Sequence, residues 1–420
     1  MITSSRRLRV AALVPVLAML LAACGGDSGP TAGGGGDDGE GGGGSGELTV
    51  WAMGAEGENL PTLAEQYEQE HDGVTIDVVP VPWETAHDKL LTSIAGGETP
   101  DITQMGTTWM GEFAETGALA ELPEGLVDEG TFYEGAWSTA LFEDTAYGVP
   151  WYVDTRLMYY RTDVAEEAGW EEPPATWEEL QQFAADLRDK GGARYGINLS
   201  PNNWQELMPF VWQTGAEVWD GEAFDFTSEG FKEGMAYYDS FFEDGVTAEY
   251  IPNFDVTEGF VQGTHPLFFS GPWHVGLIED LGGDDIEGKF DVALMPENEN
   301  QVSFVGGSDL VVFNDSEQQE AAWDFVAWLS EAETQQEWYR ITSDLPAVKE
   351  AWSSGDLAED ERLALFGEQM EMTKAPPVIP EWEEIAAVIN TELEKVTTGS
   401  ESVDDAAATI QQEAESMVKG

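Results

Sequence analysis

Strand-like and helix-like segments alternate from residue 47 onward, and this order limits the possible folds more than any other feature. Three runs rich in strand-forming residues lie at 47–51, 74–79 and 101–105. Between them, apolar residues recur at helical spacing, after a polar turn at 54–59 (Leu60, Leu63, Tyr67) and before Gly96-Gly97 (Leu90, Leu91, Ile94). Strands that alternate with helices form parallel sheets, so we predict an α/β protein with a doubly wound sheet.

Two later segments have capping-box spacing, in which a hydroxyl residue at a helix start and an acid or amide three residues on bond each other's backbone. They are Thr176 to Glu179 and Ser316 to Gln319. The C-terminal stretch 382–417 predicts two further helices, separated at Gly399. The sequence contains no internal repeat, so a solenoid is not expected.

The first 23 residues have the pattern of an export signal. Three arginines precede an apolar stretch, 10–23, which is too short to span a bilayer permanently. The stretch ends Leu21-Ala-Ala-Cys24 and resembles a bacterial lipobox, which implies a lipoprotein signal peptide at 1–23 and lipidation of Cys24. The adjacent Arg6 and Arg7 fit either twin-arginine export or an ordinary basic signal.

Cys24 is the only cysteine, so the chain has no intrachain disulfide and no thiol nucleophile in its body. Residues 24–46 are rich in glycine and contain no apolar residue larger than alanine or proline after the cysteine. They predict a flexible tether, because such a segment cannot join a core. A glycine-rich coil over 25–46 has a root-mean-square span of about 25 Å.

The charge of the chain excludes one class of partner. The chain has 17 Lys+Arg and 82 Asp+Glu, and removal of the signal, with three arginines and no acid, leaves 14 − 82 = −68. No basic patch is available to displace counterions from a phosphate backbone, so nucleic acid binding is excluded. Acids spread through every segment are typical of a surface adapted to high salt; the alternative is that they bind cations or a cationic ligand.

The body is long enough for two domains, at about 370 residues after the tether. Sixteen tryptophans and 42% hydrophobic residues supply a core, so the acidity does not indicate disorder. The four histidines are scattered, and neither a G-x-S-x-G elbow nor a Walker loop occurs. We therefore predict no metal site, no cofactor and no catalytic residue.

Several motifs, in the same order along nearly the whole chain, resemble those of the maltose-type sugar-binding proteins of ABC importers. They are GGETPDI at 96–102, GVPWYVD at 148–154, YYRTD at 159–163, PPATWEEL at 173–180, GPW at 271–273, GG at 306–307, AAWDF at 321–325 and LPA at 345–347. The resemblance implies a two-lobed periplasmic-binding-protein clamp, with a doubly wound sheet in each lobe and the ligand in the interlobe cleft. It implies lobe one at 47–150 plus 304–352 and lobe two at 151–301 plus 353–420.

The resemblance also implies a function. It is the high-affinity extracytoplasmic capture of a sugar, expected to be a di- or oligosaccharide, by a monomer held to the membrane at Cys24. Hinge closure would deliver the sugar to the permease subunits of an ABC transporter, without catalysis. Two alternatives stay open: a binding protein for another solute, such as a polyamine, a glycerol phosphate or a peptide, and a secreted glycosidase that uses two carboxylates.

Sugars present apolar C–H faces, which pack on aromatic rings, and hydroxyls, which bond carboxylates, amides and backbone groups. Loops that combine such groups, and that the resemblance directs into the cleft, supply these candidates: Glu56, Glu58, Thr107, Thr108, Trp109, Trp151, Tyr152, Asp154, Trp204, Gln205, Trp273, Gly307, Ser308 and Trp382. Trp204 and Trp273 are expected to present ring faces to the sugar. For each candidate, the alternative is core packing or a solvated surface. Arg156 either holds the crossing between lobes by pairing with an acid or orients an anionic ligand.

Overall fold

The computed structural model of this protein describes residues 46–248 and 254–418. The predictions of a signal peptide, of lipidation at Cys24 and of the tether up to residue 45 lie outside these residues. The described residues belong to one compact unit, which contains two β-sheets and a β-hairpin.

The strands of the described residues are β1 Gly46–Met53, β2 Val74–Val81, β3 Ile102–Gly106, β4 Leu141–Phe142, β5 Thr145–Ala146, β6 Gly148–Thr155, β7 Leu157–Arg161, β8 Leu267–Ser270, β9 Phe290–Ala293, β10 Ser303–Val312, β11 Leu345–Pro346 and β12 Thr373–Lys374. The helices are α1 Gly54–Glu70, α2 Trp83–Gly96, α3 Met110–Glu115, α4 Glu134–Thr139, α5 Thr162–Ala168, α6 Trp177–Asp189, α7 Trp204–Gln213, α8 Glu229–Glu243, α9 Val256–Val261, α10 Trp273–Gly282, α11 Gln319–Leu329, α12 Ala332–Thr342, α13 Asp356–Glu359, α14 Glu361–Met370, α15 Trp382–Thr397 and α16 Val403–Val418. Short 3-10 turns lie at Glu129–Thr131, Gly283–Asp285 and Lys349–Ser353.

The larger sheet has seven strands within the described residues. Six of them follow the order β11-β6-β10-β3-β1-β2, and β12 pairs with β10. β1 is parallel to both β2 and β3, as the alternation of strands and helices predicted. β10 is antiparallel to its neighbours β3 and β6, so the sheet is mixed. The carboxyl ends of β1, β2 and β3 lie along one edge, where open α/β sheets place their ligands.

The smaller sheet has three strands in the order β8-β7-β9. Both pairings are antiparallel, so this sheet differs from the doubly wound sheet that the resemblance implied for each lobe. Its central strand is buried on both faces, because Leu157 and Tyr159 pack in one apolar cluster and Met158 packs in another. A strand without alternating polar residues gives no sequence signal of antiparallel pairing.

Apolar clusters cover both faces of each sheet. One cluster joins the larger sheet to α1 and α11 and extends to one face of the smaller sheet. A second lies on the opposite face of the smaller sheet, against α6, α7, α8, α15 and α16. A third packs α2 and α3 on the larger sheet. No helix in the described residues has both the length and the apolar composition needed to cross a bilayer.

Several predicted helix boundaries are confirmed. Thr176 caps α6, since its hydroxyl accepts a hydrogen bond from the Glu179 N–H at 3.3 Å. Gly97 ends α2 with a φ of 65°, and Gly399 lies between α15 and α16 with a φ of 68°. Glycine adopts this left-handed conformation without steric cost, which explains why both helices end there.

Two predicted boundaries are wrong. The polar stretch 54–59 is not a turn but the start of α1, where a Cβ on Gly57 would lie 2.4 Å from the Ala52 carbonyl oxygen. Tertiary packing of the helix onto β1 therefore overrides the local turn preference. Ser316 does not cap α11, because the helix begins only at Gln319; the Ser316 hydroxyl instead accepts from the Gln318 N–H at 3.0 Å and donates to the Asp101 carboxylate.

Candidate functional site

Two paired strands of the larger sheet carry a row of polar side chains. Side chains alternate along a strand, so Tyr152 and Asp154 share one face of β6, and Arg156 follows just beyond its end. β10 runs antiparallel beside it, with Ser308 opposite Tyr152 and Gly306 opposite Asp154. Because β6 leads directly into β7 of the smaller sheet, this row connects the two sheets.

A hydrogen-bond network surrounds the Tyr152 hydroxyl. This hydroxyl donates to Glu56 Oε1 at 2.9 Å and accepts from Ser308 Oγ at 3.1 Å and Gln104 Nε2 at 3.2 Å. Gln104 also donates to Ser308 Oγ at 3.0 Å and accepts from the Met53 N–H at 2.6 Å. The network ties β1, α1, β3, β6 and β10 together at the carboxyl edge of the larger sheet.

Burial and the charges of Glu56 and Asp344 hold the pKa of Tyr152 well above 10. The hydroxyl therefore stays protonated and acts as a donor to Glu56. The Glu56 carboxylate lies in the first turn of α1, where the helix dipole stabilises negative charge. It keeps one oxygen free of the Tyr152 bond, so it can accept a hydrogen bond from a ligand.

An aromatic wall stands beside Glu56. A Cβ on Gly54 would lie 2.8 Å from Trp83 Cδ1 and 3.3 Å from Glu56 Oε2, so the Trp83 indole and the carboxylate flank the same backbone. Trp83 is half-buried and meets Trp109 edge-on, with ring centroids 5.6 Å apart. Trp109 in turn packs on His87 at 5.3 Å. Trp83 and Trp109 are both half-buried, so together they form an aromatic wall whose Trp83 ring lies beside Glu56.

Arg156 links the polar row to a second aromatic group. Its Nη1 donates to Asp154 Oδ1 at 2.7 Å, and its guanidinium lies 5.0 Å from the Trp273 ring centroid and 5.4 Å from that of Phe304. Trp273 is the first residue of α10, and 40% of its surface is exposed. Its ring lies on Gly271, where any Cβ would clash. The ion pair matches the structural role considered for Arg156.

Asp344 joins this group from the other side of β6. It precedes β11, whose Leu345 lies opposite Val153. Asp344 is half-buried, and hydrogen bonds with the Thr342 and Trp338 side chains lower its pKa. Burial, and then the charges of Glu56 and Asp154, outweigh these bonds and raise the pKa of Asp344 to about 7. Asp344 therefore lies within electrostatic range of Glu56 and Asp154.

Three of the predicted tryptophans lie in the core instead of presenting a ring to a cleft. Trp151 is 1% exposed and stacks on Trp338 at 4.7 Å, on the face of β6 opposite to Tyr152. Trp204 and Trp382 are 7% and 0% exposed and meet edge-on at 5.3 Å. The expectation that Trp204 presents a ring face to the sugar is not met, because Trp204 is the first residue of α7 and its ring packs inward.

Other candidates are dispersed. Thr107 is buried, Thr108 is half-buried and Glu58 is exposed. Gln205 is half-buried in the first turn of α7, and Gly307 has a φ of 122° opposite Val153. Among the described residues, no hydrogen bond connects any of these five to the Tyr152 network. The structure thus brings together Glu56, Tyr152, Asp154, Ser308 and Trp273.

The sequence reasoning missed Trp83, Gln104, Phe304 and Asp344. Trp83 follows the carboxyl end of β2, so the topological rule that selected Glu56 would also have selected it. Gln104 is a polar residue within a buried strand, which signals an internal hydrogen bond. Asp344 has no local signal, because its position depends on the pairing of β11 with β6.

Comparison with known proteins identifies the family. The family model described as bacterial extracellular solute-binding protein matches residues 62–364. The structure of the sugar-binding protein MalE from the phytopathogen Xanthomonas citri superimposes with a TM-score of 0.83 and 32% sequence identity. The superposition covers 87% of this chain and 96% of that protein.

Two further relatives agree over most of their length. The galactooligosaccharide-binding protein of Bacillus subtilis is 24% identical over 425 residues, which cover 96% of each chain. The GacH receptor of Streptomyces glaucescens GLA.O has the same fold, with a TM-score of 0.78 at 24% identity over 89% of this chain and 99% of the receptor. The predicted fold class, a two-lobed α/β clamp, is thereby confirmed. The chain belongs to the bacterial extracellular solute-binding proteins.

Proposed function

We propose that this protein captures a sugar outside the cytoplasm and delivers it to the permease of an ABC importer. One observation carries the proposal: a row of hydrogen-bonding side chains along β6 and β10 connects the two sheets and has an indole at each end. Such a row offers acceptors and donors to hydroxyl groups, and Trp83 and Trp273 offer ring faces to C–H groups. MalE of Xanthomonas citri, a named sugar-binding protein, supports the same ligand class.

The proposed lobes follow the two sheets. Lobe one comprises 47–150 plus 304–352, around the larger sheet, and lobe two comprises 151–301 plus 353–420, around the smaller sheet. β6 and β10 remain paired in the larger sheet as far as Thr155 and Val305. This pairing supports a first crossing just after Thr155, a few residues later than the boundary at 150, and a second crossing just before Val305. Rotation about the crossings would bring Trp273 of α10 toward Glu56 of α1 and enclose the ligand.

The proposed ligand contacts are divided between the lobes. Glu56, Tyr152, Asp154 and Ser308 bind hydroxyl groups, and Trp83 and Trp273 pack on the sugar faces. The ligand must bind the closed form more tightly than the open form, since only a difference in affinity shifts the equilibrium. Family members are binding proteins, and we propose that this chain likewise performs no catalysis.

Tryptophan fluorescence provides the direct test. Titration of the mature protein with monosaccharides, disaccharides, glycerol phosphates and polyamines should change the emission with sugars only, because Trp83 and Trp273 are partly exposed at the site. Saturation by a polyamine or a glycerol phosphate, without a response to any sugar, would contradict the proposal. Sustained hydrolysis of a bound disaccharide that follows the purified protein would contradict the absence of catalysis.

We also propose that the mature protein is a lipid-anchored monomer, attached through Cys24. The lipobox-like segment and the glycine-rich tether support the anchor, because the tether would hold the body near the membrane without fixing its orientation. Cys24→Ala should release the protein into the soluble fraction or stop its processing, as membrane fractionation would show. Normal processing with complete membrane retention of this variant would contradict lipidation.

A further inference from the structure

Arg156 lies at the point where the two sheets are connected. It follows Thr155, the last residue of β6, and precedes Leu157, the first residue of β7. Its carbonyl oxygen accepts a hydrogen bond from Ser303 Oγ at 2.9 Å, and Thr155 Oγ1 donates to the Phe304 carbonyl oxygen at 2.8 Å. These bonds fix the backbone of Arg156 against the start of β10.

The Arg156 side chain extends from this connection to the start of α10. Its Nη1 donates to Asp154 Oδ1 at 2.7 Å, and its guanidinium lies over the Trp273 ring at 5.0 Å from the centroid. Only 14% of the Arg156 side chain is exposed. A guanidinium is planar, so it can stack on an aromatic ring while it bonds a carboxylate. Arg156 therefore ties an acid of β6 to the aromatic residue that begins α10.

The backbone on either side of Trp273 is held by other residues. The Tyr159 hydroxyl donates to the Gly271 carbonyl oxygen at 2.6 Å, and the Ser270 hydroxyl hydrogen-bonds His274 Nδ1 at 2.6 Å. The start of α10 is thus positioned without a contribution from the guanidinium. What remains to be set is the rotation of the indole about its side-chain torsions.

Few contacts restrict the indole itself. Its ring lies on Gly271, where a Cβ would be 2.0 Å from Trp273 Cζ3, and it meets the His274 ring at 6.0 Å. Among the described residues, none hydrogen-bonds the indole N–H, and 40% of the Trp273 surface is exposed. The guanidinium over its face is therefore the polar contact that favours one orientation of the ring.

We infer that Arg156 is a positioning residue, which holds the Trp273 indole in the orientation that packs on the sugar. This inference rests on the proposed function, since it concerns how one of the proposed ring contacts is prepared. The guanidinium covers one face of the indole, and the exposed remainder is available to the C–H groups of a sugar. A ring that is ordered in advance need not be ordered on binding, which favours affinity about two- to tenfold for one side chain.

Fluorine NMR measures the orientation of Trp273 without a ligand, on the mature chain labelled with 5-fluorotryptophan. The Trp273 resonance is the one that is absent from Trp273→Phe. Arg156→Lys keeps the charge beside Asp154 but not the planar group, so this resonance should shift or broaden. Arg340→Gln is the control, because it removes an exposed arginine from an ion pair with Glu337 and should leave the resonance as it is.

A second variant keeps this result independent of how one substitution folds. Arg156→Met removes the guanidinium altogether and retains an unbranched side chain, so it should change the Trp273 resonance as Arg156→Lys does. A Trp273 resonance that is the same in both variants as in the wild type would overturn the inference.

A double-mutant cycle separates positioning from direct contact with the sugar. Maltose, trehalose, lactose and cellobiose would be titrated by calorimetry into the wild type, Arg156→Lys, Trp273→Ala and the double variant. With the sugar that binds most tightly, Arg156→Lys should lower the affinity about two- to tenfold in the wild type and less than about twofold once Trp273 is replaced. Equal losses in both backgrounds would show that Arg156 contacts the sugar itself and would overturn the inference.

The two measurements distinguish failure of the inference from failure of the proposed function. Absence of binding by every sugar would contradict the proposed function, whereas the NMR comparison needs no sugar and still decides whether Arg156 orients Trp273. Sugar binding with unaltered affinity in both Arg156 variants would overturn the inference and leave the proposed function intact.

Discussion

Two tryptophans with similar sequence surroundings have different roles, and only their packing distinguishes them. Trp204 and Trp273 each begin a helix after a polar or glycine-containing turn. Trp204 is 7% exposed and meets Phe304 edge-on at 5.6 Å, whereas Trp273 is 40% exposed and lies over Arg156. The sequence could place both residues at helix starts, but the direction of each indole depends on partners that are distant along the chain.

Alanine substitutions should separate these roles. Trp273→Ala should weaken sugar binding by about 2 kcal/mol or more, as loss of an aromatic anchor does, with little change in melting temperature. Trp204→Ala should instead lower the free energy of unfolding by about 3–5 kcal/mol, because it leaves a cavity in the core. Calorimetric titration and thermal unfolding of both variants would check this. A stable Trp204→Ala variant that has lost affinity would contradict the packing role.

A buried acid makes stability depend on pH. Asp309 is fully buried on β10, where the Thr139 hydroxyl donates to its carboxyl oxygens at 3.1 and 3.3 Å. Burial raises the pKa of Asp309 to about 8. The folded protein therefore holds a proton that the unfolded chain releases near its ordinary pKa of about 3.9.

The direction in which stability changes with pH follows from the difference between the pKa values of Asp309 in the folded and unfolded states. The contribution of the protonated Asp309 to stability is complete below about pH 3.9 and is lost as the pH rises to about 8, by at most about 1.4 kcal/mol per pH unit. Asp309→Asn mimics the protonated form, so its stability relative to wild type should increase over this range and then level off. Chemical denaturation of both proteins across this range would show it. Parallel pH profiles would mean that Asp309 is ionised in the fold.

At the scale of the elements, local patterns predicted the first half of the larger sheet. They did not predict the remaining strand pairs, because those strands are far apart in the sequence. β1, β2 and β3 are parallel neighbours linked by α1 and α2, so their periodicity suffices. β7 pairs with β8 more than 100 residues later, with Tyr159 opposite Phe268. No local pattern specifies such a partner.

The residues of the candidate site likewise divide into those that local patterns indicate and those that only long-range pairing brings together. Glu56 and Tyr152 could be selected because loops and strand ends of this kind hold ligands. Gln104 and Ser308, by contrast, meet across 204 positions of sequence, and Asp344 reaches the group through a two-residue strand. Their proximity is a product of the completed sheet, so it could not be derived from their neighbours in the sequence.

A close contact between α3 and the segment before α15 provides an element-scale prediction. A Cβ on Gly111 would lie 2.4 Å from the backbone carbon of Ile379, so Gly111→Ala should destabilise the fold by about 1–3 kcal/mol through overpacking. Gly96→Ala, at the end of α2, meets nothing within 4 Å and should be neutral or slightly stabilising. Denaturant unfolding of both variants gives the comparison. Equal stability of the two variants would contradict the prediction, because it would mean that the backbone around Ile379 shifts without cost to accommodate the added methyl group.

At the scale of the whole molecule, the net charge determines how we expect stability to depend on salt. A formal charge of −65 on 420 residues produces self-repulsion, which dissolved salt screens. The melting temperature should therefore rise steeply between low and molar salt, and sodium and potassium chloride should act alike. Scanning calorimetry over a salt series would measure the rise. A flat profile would favour the alternative that bound cations neutralise the acids.

The place of β10 in the larger sheet has a consequence for the folding of the newly synthesised chain. This strand, Ser303–Val312, lies between β3 and β6, which both precede it by about 150 residues or more. While the chain is being synthesised or threaded through an export channel, β3 and β6 have no partner between them. Unpaired strand edges invite wrong pairing, so the nascent chain needs protection until Val312 has emerged. A truncated chain that ends before Ser303 should therefore aggregate, and only a chain that continues past β10 can close its central sheet.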